Sequence, residues 1–132
     1  MGVCSVDIRV RYQETDKFGI VYYANYYVWF EIARTEFFRS AGLPYAELEK
    51  KGIYIVVVSS SCQYKQPAYY DDQITIRSRI SSVMNTSFTF EYEVVKGKDL
   101  LATGKTVQAL VNKDRKPVKI PEDIREVIER RA

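Results

Sequence analysis

The chain has 132 residues, 46% of them hydrophobic, enough for one ordinary domain with a buried core and no spare length for a second. Residues 1–132 are accordingly read as a single domain. Its 20 basic and 17 acidic residues are interleaved and sum to +3, which excludes the basic block of a nucleic-acid-binding arm and leaves a mild preference for small anions. No apolar run approaches the roughly 20 residues needed to span a bilayer, and the N-terminus lacks the basic and long apolar regions of a signal peptide. The expectation is a cytoplasmic protein with no membrane span.

Histidine is absent, and the only cysteines are Cys4 and Cys62. That removes Ser-His-Asp and Cys-His pairs, histidine-bound metals and histidine general bases together. Two distant cysteines form neither a zinc cage nor a disulfide framework. No metal or cofactor is expected, and any chemistry must run on Asp, Glu, Tyr, Lys, hydroxyls or backbone amides.

From Val6 to Tyr12 apolar and polar residues alternate, the period of a half-buried strand. Gly19 punctuates the chain. From Tyr23 to Ala41, Tyr26, Trp29, Phe30, Ala33, Phe37, Phe38 and Ala41 recur at three- and four-residue steps and predict a long helix, stopped by Gly42 and Pro44. A short helical patch follows at Tyr45–Lys51. The unbroken run Ile53–Val58, continuing to Tyr64, suits a strand covered on both faces. Ile74, Ile76 and Ile80, then Phe88, Phe90, Tyr92 and Val94, define two antiparallel strands joined at Met84–Thr86. A turn at Gly97–Asp99 leads into a last strand, Leu100–Val111, where Gly104 predicts a bulge. Pro121 opens a short C-terminal helix carrying Ile124, Val127 and Ile128.

The predicted order is strand, long helix, then four strands in a meander, an α+β unit with the helix packed on a five-stranded antiparallel sheet. One helix covers one sheet face. Apolar strand positions left over predict pairing with a second copy, as a dimer or tetramer.

Within this frame the segment Glu14–Tyr26 holds a carboxylate, a glycine turn and a helix start. A carboxylate can act as nucleophile or general base, and free amides at a helix N-terminus can stabilise charge developing on a carbonyl oxygen. Asp16 is the candidate. Spacing alone equally allows a loop carboxylate that caps backbone amides. Glu14, two residues earlier, reads as a solvated or structural charge.

In the order Thr15-Asp16, Gly19-Ile20-Val21-Tyr22-Tyr23-Ala24-Asn25-Tyr26, Glu31 and Arg34, Gly42-Leu43-Pro44 and Pro67–Asp72, the chain resembles the hotdog-fold acyl-CoA thioesterases, in the branch of 4-hydroxybenzoyl-CoA thioesterase and the small YbgC-like enzymes. The resemblance implies that Asp16 attacks the thioester carbonyl or activates a water, and that the Tyr23 backbone amide polarises that carbonyl. Where the YbgC-like branch often carries histidine this chain has Tyr23, the residue type of the 4-hydroxybenzoyl branch. The implied substrate is an acyl-CoA, with coenzyme A as part of the substrate rather than a cofactor. A non-catalytic acyl-CoA or fatty-acyl binding module on the same fold is the alternative.

Tyr22, Tyr26 and Tyr64 are the candidate substrate-binding aromatics, although core packing is the commoner duty of such side chains. Glu31 and Arg34, three apart on a helix, are placed to pair with each other. Coenzyme A carries phosphates that call for Lys or Arg. Lys65, Arg77, Arg79, Lys96 and Lys105 are the available cations, and no glycine-rich phosphate loop chooses among them.

Overall fold

The computed structural model describes residues 2–131. Strand β1 (Cys4–Arg9) is followed by a 3-10 turn at Tyr12–Glu14, the long helix α1 (Asn25–Ser40) and the short helix α2 (Tyr45–Lys50). Four strands come next, β2 (Tyr54–Tyr64), β3 (Gln73–Val83), β4 (Ser87–Lys96) and β5 (Asp99–Val111), then helix α3 (Glu122–Arg131).

The aromatic stripe decides how α1 lies. Tyr26, Trp29, Phe30, Ala33, Arg34, Phe37 and Phe38 are its buried residues, a repeat of three and four that puts them on one helical face. They pack on Phe88, Phe90 and Tyr92, the inward residues of β4. Leu43 N–H donates to Phe38 O at 2.8 Å and Gly42 N–H to Arg39 O at 3.1 Å, with Gly42 at φ +83°. This closing motif needs a left-handed residue, which glycine supplies without strain.

All strand pairings are antiparallel, in the order β1-β3-β4-β5-β2. Only β3, β4 and β5 form a meander, so the expected four-strand meander is corrected: β2 crosses over to pair with β5. The crossing chain, residues 65–72, therefore runs along the end of the sheet, where Ala68 O accepts Val21 N–H at 2.8 Å just before α1. Topology thus delivers a third segment to the start of the helix.

The expectation of a β2 covered on both faces is also wrong. As an edge strand it has a neighbour on one side only, and Val56, Val57 and Val58 are 39%, 47% and 60% exposed. β-branched continuity reports strand propensity, which an unpaired edge satisfies equally well. Strand β1 stops at Arg9, short of the expected Tyr12, because Val10 exchanges backbone hydrogen bonds with Asp71 and Asp72 and the chain then coils into the 3-10 turn. Tyr12 is consequently exposed.

Gly104 makes no bulge. The register shifts fall at Val57/Ser59, Ile80/Ser82 and Val94/Val95, while Gly104 pairs regularly with Tyr92 and Cys62. The Phe30 ring lies against its Cα, so a Cβ there would collide with ring carbons. That ring is also stacked on Tyr92, the cross-strand partner of Gly104, at 4.2 Å and 9°. Glycine is needed for close approach of the helix, a second reason for glycine in a strand.

Arg34 does not pair with Glu31. Its guanidinium is buried and donates to Tyr92 Oη at 3.1 Å, and Tyr92 Oη lies 2.6 Å from Thr106 Oγ1. Burial of the phenol pushes the Tyr92 pKa up, which keeps it protonated beside the cation.

Candidate active site

Residues 15–21 form a tight hairpin. Asp16 N–H donates to Ile20 O at 2.9 Å and Gly19 N–H donates to Asp16 O at 3.0 Å, with Gly19 at φ +80°. A left-handed residue closing a three-residue loop is what glycine provides most cheaply. At the head of this turn Asp16 Oδ1 accepts Phe18 N–H at 2.8 Å. One carboxylate oxygen is thereby held by the loop, and the other has no hydrogen-bond partner among the described residues. The capping and catalytic readings of Asp16 are compatible, because each uses a different oxygen.

The hairpin is tied back to the helix start. Glu14 O accepts Tyr22 N–H at 2.8 Å and Asn25 Nδ2 at 2.9 Å. Tyr22 O and Tyr23 O accept the N–H groups of Asn25 and Tyr26 at 2.9 and 3.3 Å. Because N–H and C=O point opposite ways in a trans peptide, carbonyls aimed along the helix turn the Tyr23 and Ala24 N–H groups outward, off its N-terminus. Among the described residues neither N–H has a hydrogen-bond acceptor. These are the orphan donors that every helix start leaves, reinforced by the positive end of the helix dipole.

Asp16 and Tyr23 line one groove of about 400 Å³ together with Ile20, Val21, Tyr26, Tyr64, Lys65, Gln66 and Pro67. Four of the five residues expected at the site thus meet. Tyr22, the fifth, does not line this groove but a second, open depression that Asp16 also borders, with Tyr12, Gln13 and Asn25. Tyr64 comes from the end of β2, and its hydroxyl donates to Tyr23 O at 3.1 Å. It thus holds the peptide whose N–H belongs to Ala24.

Three phenols in and beside the groove, Tyr26, Tyr64 and Tyr22, are poor acids. Burial raises the Tyr26 pKa to about 12, and burial followed by contact with Cys62 raises that of Tyr64. Tyr22 is raised by its hydrogen bond with Tyr23. All three remain O–H donors at neutral pH, and Asp16 is the one carboxylate among the residues that line the groove.

Of the five candidate cations, Arg77 and Arg79 pair with Glu93 and Glu91 at 3.6 and 2.9 Å on the outer sheet face, and Lys96 pairs with Asp72 at 2.9 Å. Lys65 lines the groove. Sequence reasoning missed the Ala24 amide, the groove segment 65–67 as a unit, and the burial of Glu14, which is 3% exposed. The first follows from the helix start; the other two depend on the crossover and the packing of Trp29, which have no local signal. Among the described residues no group of three or more His, Cys, Asp or Glu side chains gathers as a metal site, and no helix is long and apolar enough to cross a membrane.

A long helix wrapped by an antiparallel sheet, with a carboxylate and the residues just ahead of that helix lining one groove, is the hotdog architecture. The chain belongs to the thioesterase-like superfamily, whose family model matches residues 10–128, and it is a thioester hydrolase. It is 34% identical over 94 residues to the acyl-CoA thioester hydrolase YbgC of Escherichia coli O157:H7, covering 71% of this chain and 70% of that one. The crystal structure of a hypothetical protein from Aquifex aeolicus superposes with a TM-score of 0.91 at 36% identity, covering 95% and 98% of the two chains. That of a DHNA-CoA thioesterase from Staphylococcus aureus gives 0.92 at 28% identity, covering 97% and 89%.

Proposed function

We propose that the chain hydrolyses acyl-CoA thioesters to a free carboxylic acid and coenzyme A, with Asp16 as the reacting carboxylate and the Tyr23 and Ala24 amides as the oxyanion donors. The observation that carries this is the shared groove, lined both by the half-free carboxylate of Asp16 and by Tyr23, just ahead of a 16-residue helix. The thioester carbonyl oxygen sits against the amides, which gain strength as negative charge develops there. The free oxygen of Asp16 attacks the carbonyl carbon, or takes a proton from a water that does so. The C–S bond breaks and the CoA thiolate leaves. Where Asp16 attacks, the thiolate takes a proton from solvent and a water then cleaves the acyl–Asp16 anhydride, freeing the acid and the carboxylate; where Asp16 deprotonates the water, it returns that proton to the sulfur. No step calls on a metal or cofactor.

The apolar and phenolic walls Ile20, Val21, Tyr26 and Tyr64 suit the acyl group, and Lys65 at the rim suits a phosphate of coenzyme A. A second copy completes the reading. The bare valines of β2 form an unpaired edge that another β2 can extend antiparallel, and Tyr64 at the end of that strand brings the groove beside the resulting interface. Cytoplasmic placement fits the two free cysteines, which suit a reducing compartment.

The decisive experiment is Asp16→Asn assayed with an acyl-CoA panel and a thiol reagent. Asparagine keeps the oxygen that accepts Phe18 N–H, so the turn survives. Thiol release should fall ~10²–10⁴-fold, the range for losing a catalytic base. A folded variant with undiminished release would remove Asp16 from the mechanism.

A further inference from the structure

We infer that Glu14 is the positioning residue of the site: its buried carboxylate, through Trp29, fixes how far Asp16 stands from the helix amides. The inference rests on the catalytic reading above. Five donors converge on this one residue. Its Oε1 accepts Arg11 N–H at 2.8 Å, and its Oε2 accepts the Trp29 indole N–H at 3.1 Å and the Arg11 guanidinium at 3.4 Å. Its carbonyl accepts Tyr22 N–H and Asn25 Nδ2, both within 2.9 Å.

These donors come from both flanks of the Asp16 hairpin, from the first residue of α1 and from its second turn. Asp16 is two residues beyond Glu14, and the Tyr23 amide is the next one after Tyr22. One side chain and its own carbonyl therefore pin the carboxylate arm and the amide arm to a common point. Burying a carboxylate costs several kcal/mol before its partners offset it, and an apolar side chain would fill the space without that cost. What the carboxylate adds is fixed geometry, and a misplacement of about 1 Å at a reacting centre can cost ~10²-fold in rate.

The test compares wild type, Glu14→Gln, Trp29→Phe and the double variant. A glutamine presents one acceptor and one donor, so it serves Arg11 or Trp29 but not both; Trp29→Phe removes the same bond from the other side while keeping an aromatic core residue. With an acyl-CoA substrate, each single variant should lose ~10–100-fold in kcat with KM changed less than about threefold, and the double should lose no more than the worse single. Trp29 is the only tryptophan, so its emission reports the indole bond directly and should shift in Glu14→Gln. A folded Glu14→Gln with kcat within about twofold of wild type, or losses that multiply in the double, overturns the inference. If Glu14→Gln does not fold, Trp29→Phe carries the same kcat and KM criterion alone.

A second readout separates this from the functional reading. If wild type hydrolyses no acyl-CoA, the function fails, and amide hydrogen exchange still decides the positioning role. Faster exchange in Glu14→Gln confined to the Phe18, Tyr22 and neighbouring amides supports it, whereas acceleration spread evenly over the sheet, or none, overturns it.

Discussion

Replacing Gly104 by alanine tests the closeness of helix and sheet on which the site depends. The added Cβ meets the Phe30 ring inside van der Waals contact. The ring cannot swing away, because it is fully buried and stacked 4.2 Å from Tyr92, which in turn is held by Arg34 and Thr106. Either the helix lifts or the ring leaves its rotamer, and overpacking of this kind costs ~1–3 kcal/mol. For a chain of 132 residues the unfolding entropy converts this to a fall in Tm of about 4–11 °C, read by thermal melts followed by circular dichroism. Phe30→Leu opens the space, so in the double variant the two losses should sum to less than their separate values by about 1 kcal/mol or more. A lifted helix also moves its N-terminal amides, so kcat should fall with KM little changed. An alanine variant melting within about 1 °C of wild type would refute the reasoning.

Three further outcomes follow from the same geometry. Tyr64→Phe keeps the aromatic wall but loses the hydroxyl that donates to Tyr23 O; kcat should fall about two- to tenfold, the worth of one neutral hydrogen bond, with KM held, and an unchanged kcat would contradict a role for that bond. Tyr26 has its pKa raised to about 12 by burial against ~10 when unfolded, so the unfolded state releases its proton first and stability drops as pH climbs from about 10 to 12. Urea midpoints at pH 9 and 11 should show about 1.4 kcal/mol more alkaline loss in wild type than in Tyr26→Phe, and equal losses would exclude this source. Val58→Lys places a charge on the bare edge of β2; light scattering should find a dimer in wild type and a monomer in the variant, and a monomeric wild type would dismiss edge pairing.

Much of this protein is local and therefore legible. The three-and-four spacing of Tyr26 to Phe38 specifies both the helix and its buried face, since a helix presents those positions together whatever covers them. Alternation at Ile74–Ile80 and Phe88–Val94 specifies strands in the same way, and the absence of histidine left Asp16, beside a glycine turn and a helix start, as the leading candidate for chemistry. Helix ends leave free amides by geometry alone, so unpaired N–H groups near the start of this helix could be anticipated.

Tertiary structure decided everything that depends on which elements become neighbours. A run of valines has the same propensity at a sheet's edge as at its centre, so only the strand order exposes Val56–Val58. Gly104 looks the same in sequence whether it makes a bulge or admits a ring; Phe30, 74 residues earlier, decides it. Glu14 reads as a solvated or structural charge, and only the packing of Trp29 over it decides for the structural one. The crossover of residues 65–72 carries Lys65 to Asp16, joining segments that no local pattern connects. Periodicity is a property of one segment, whereas a site is a meeting of several.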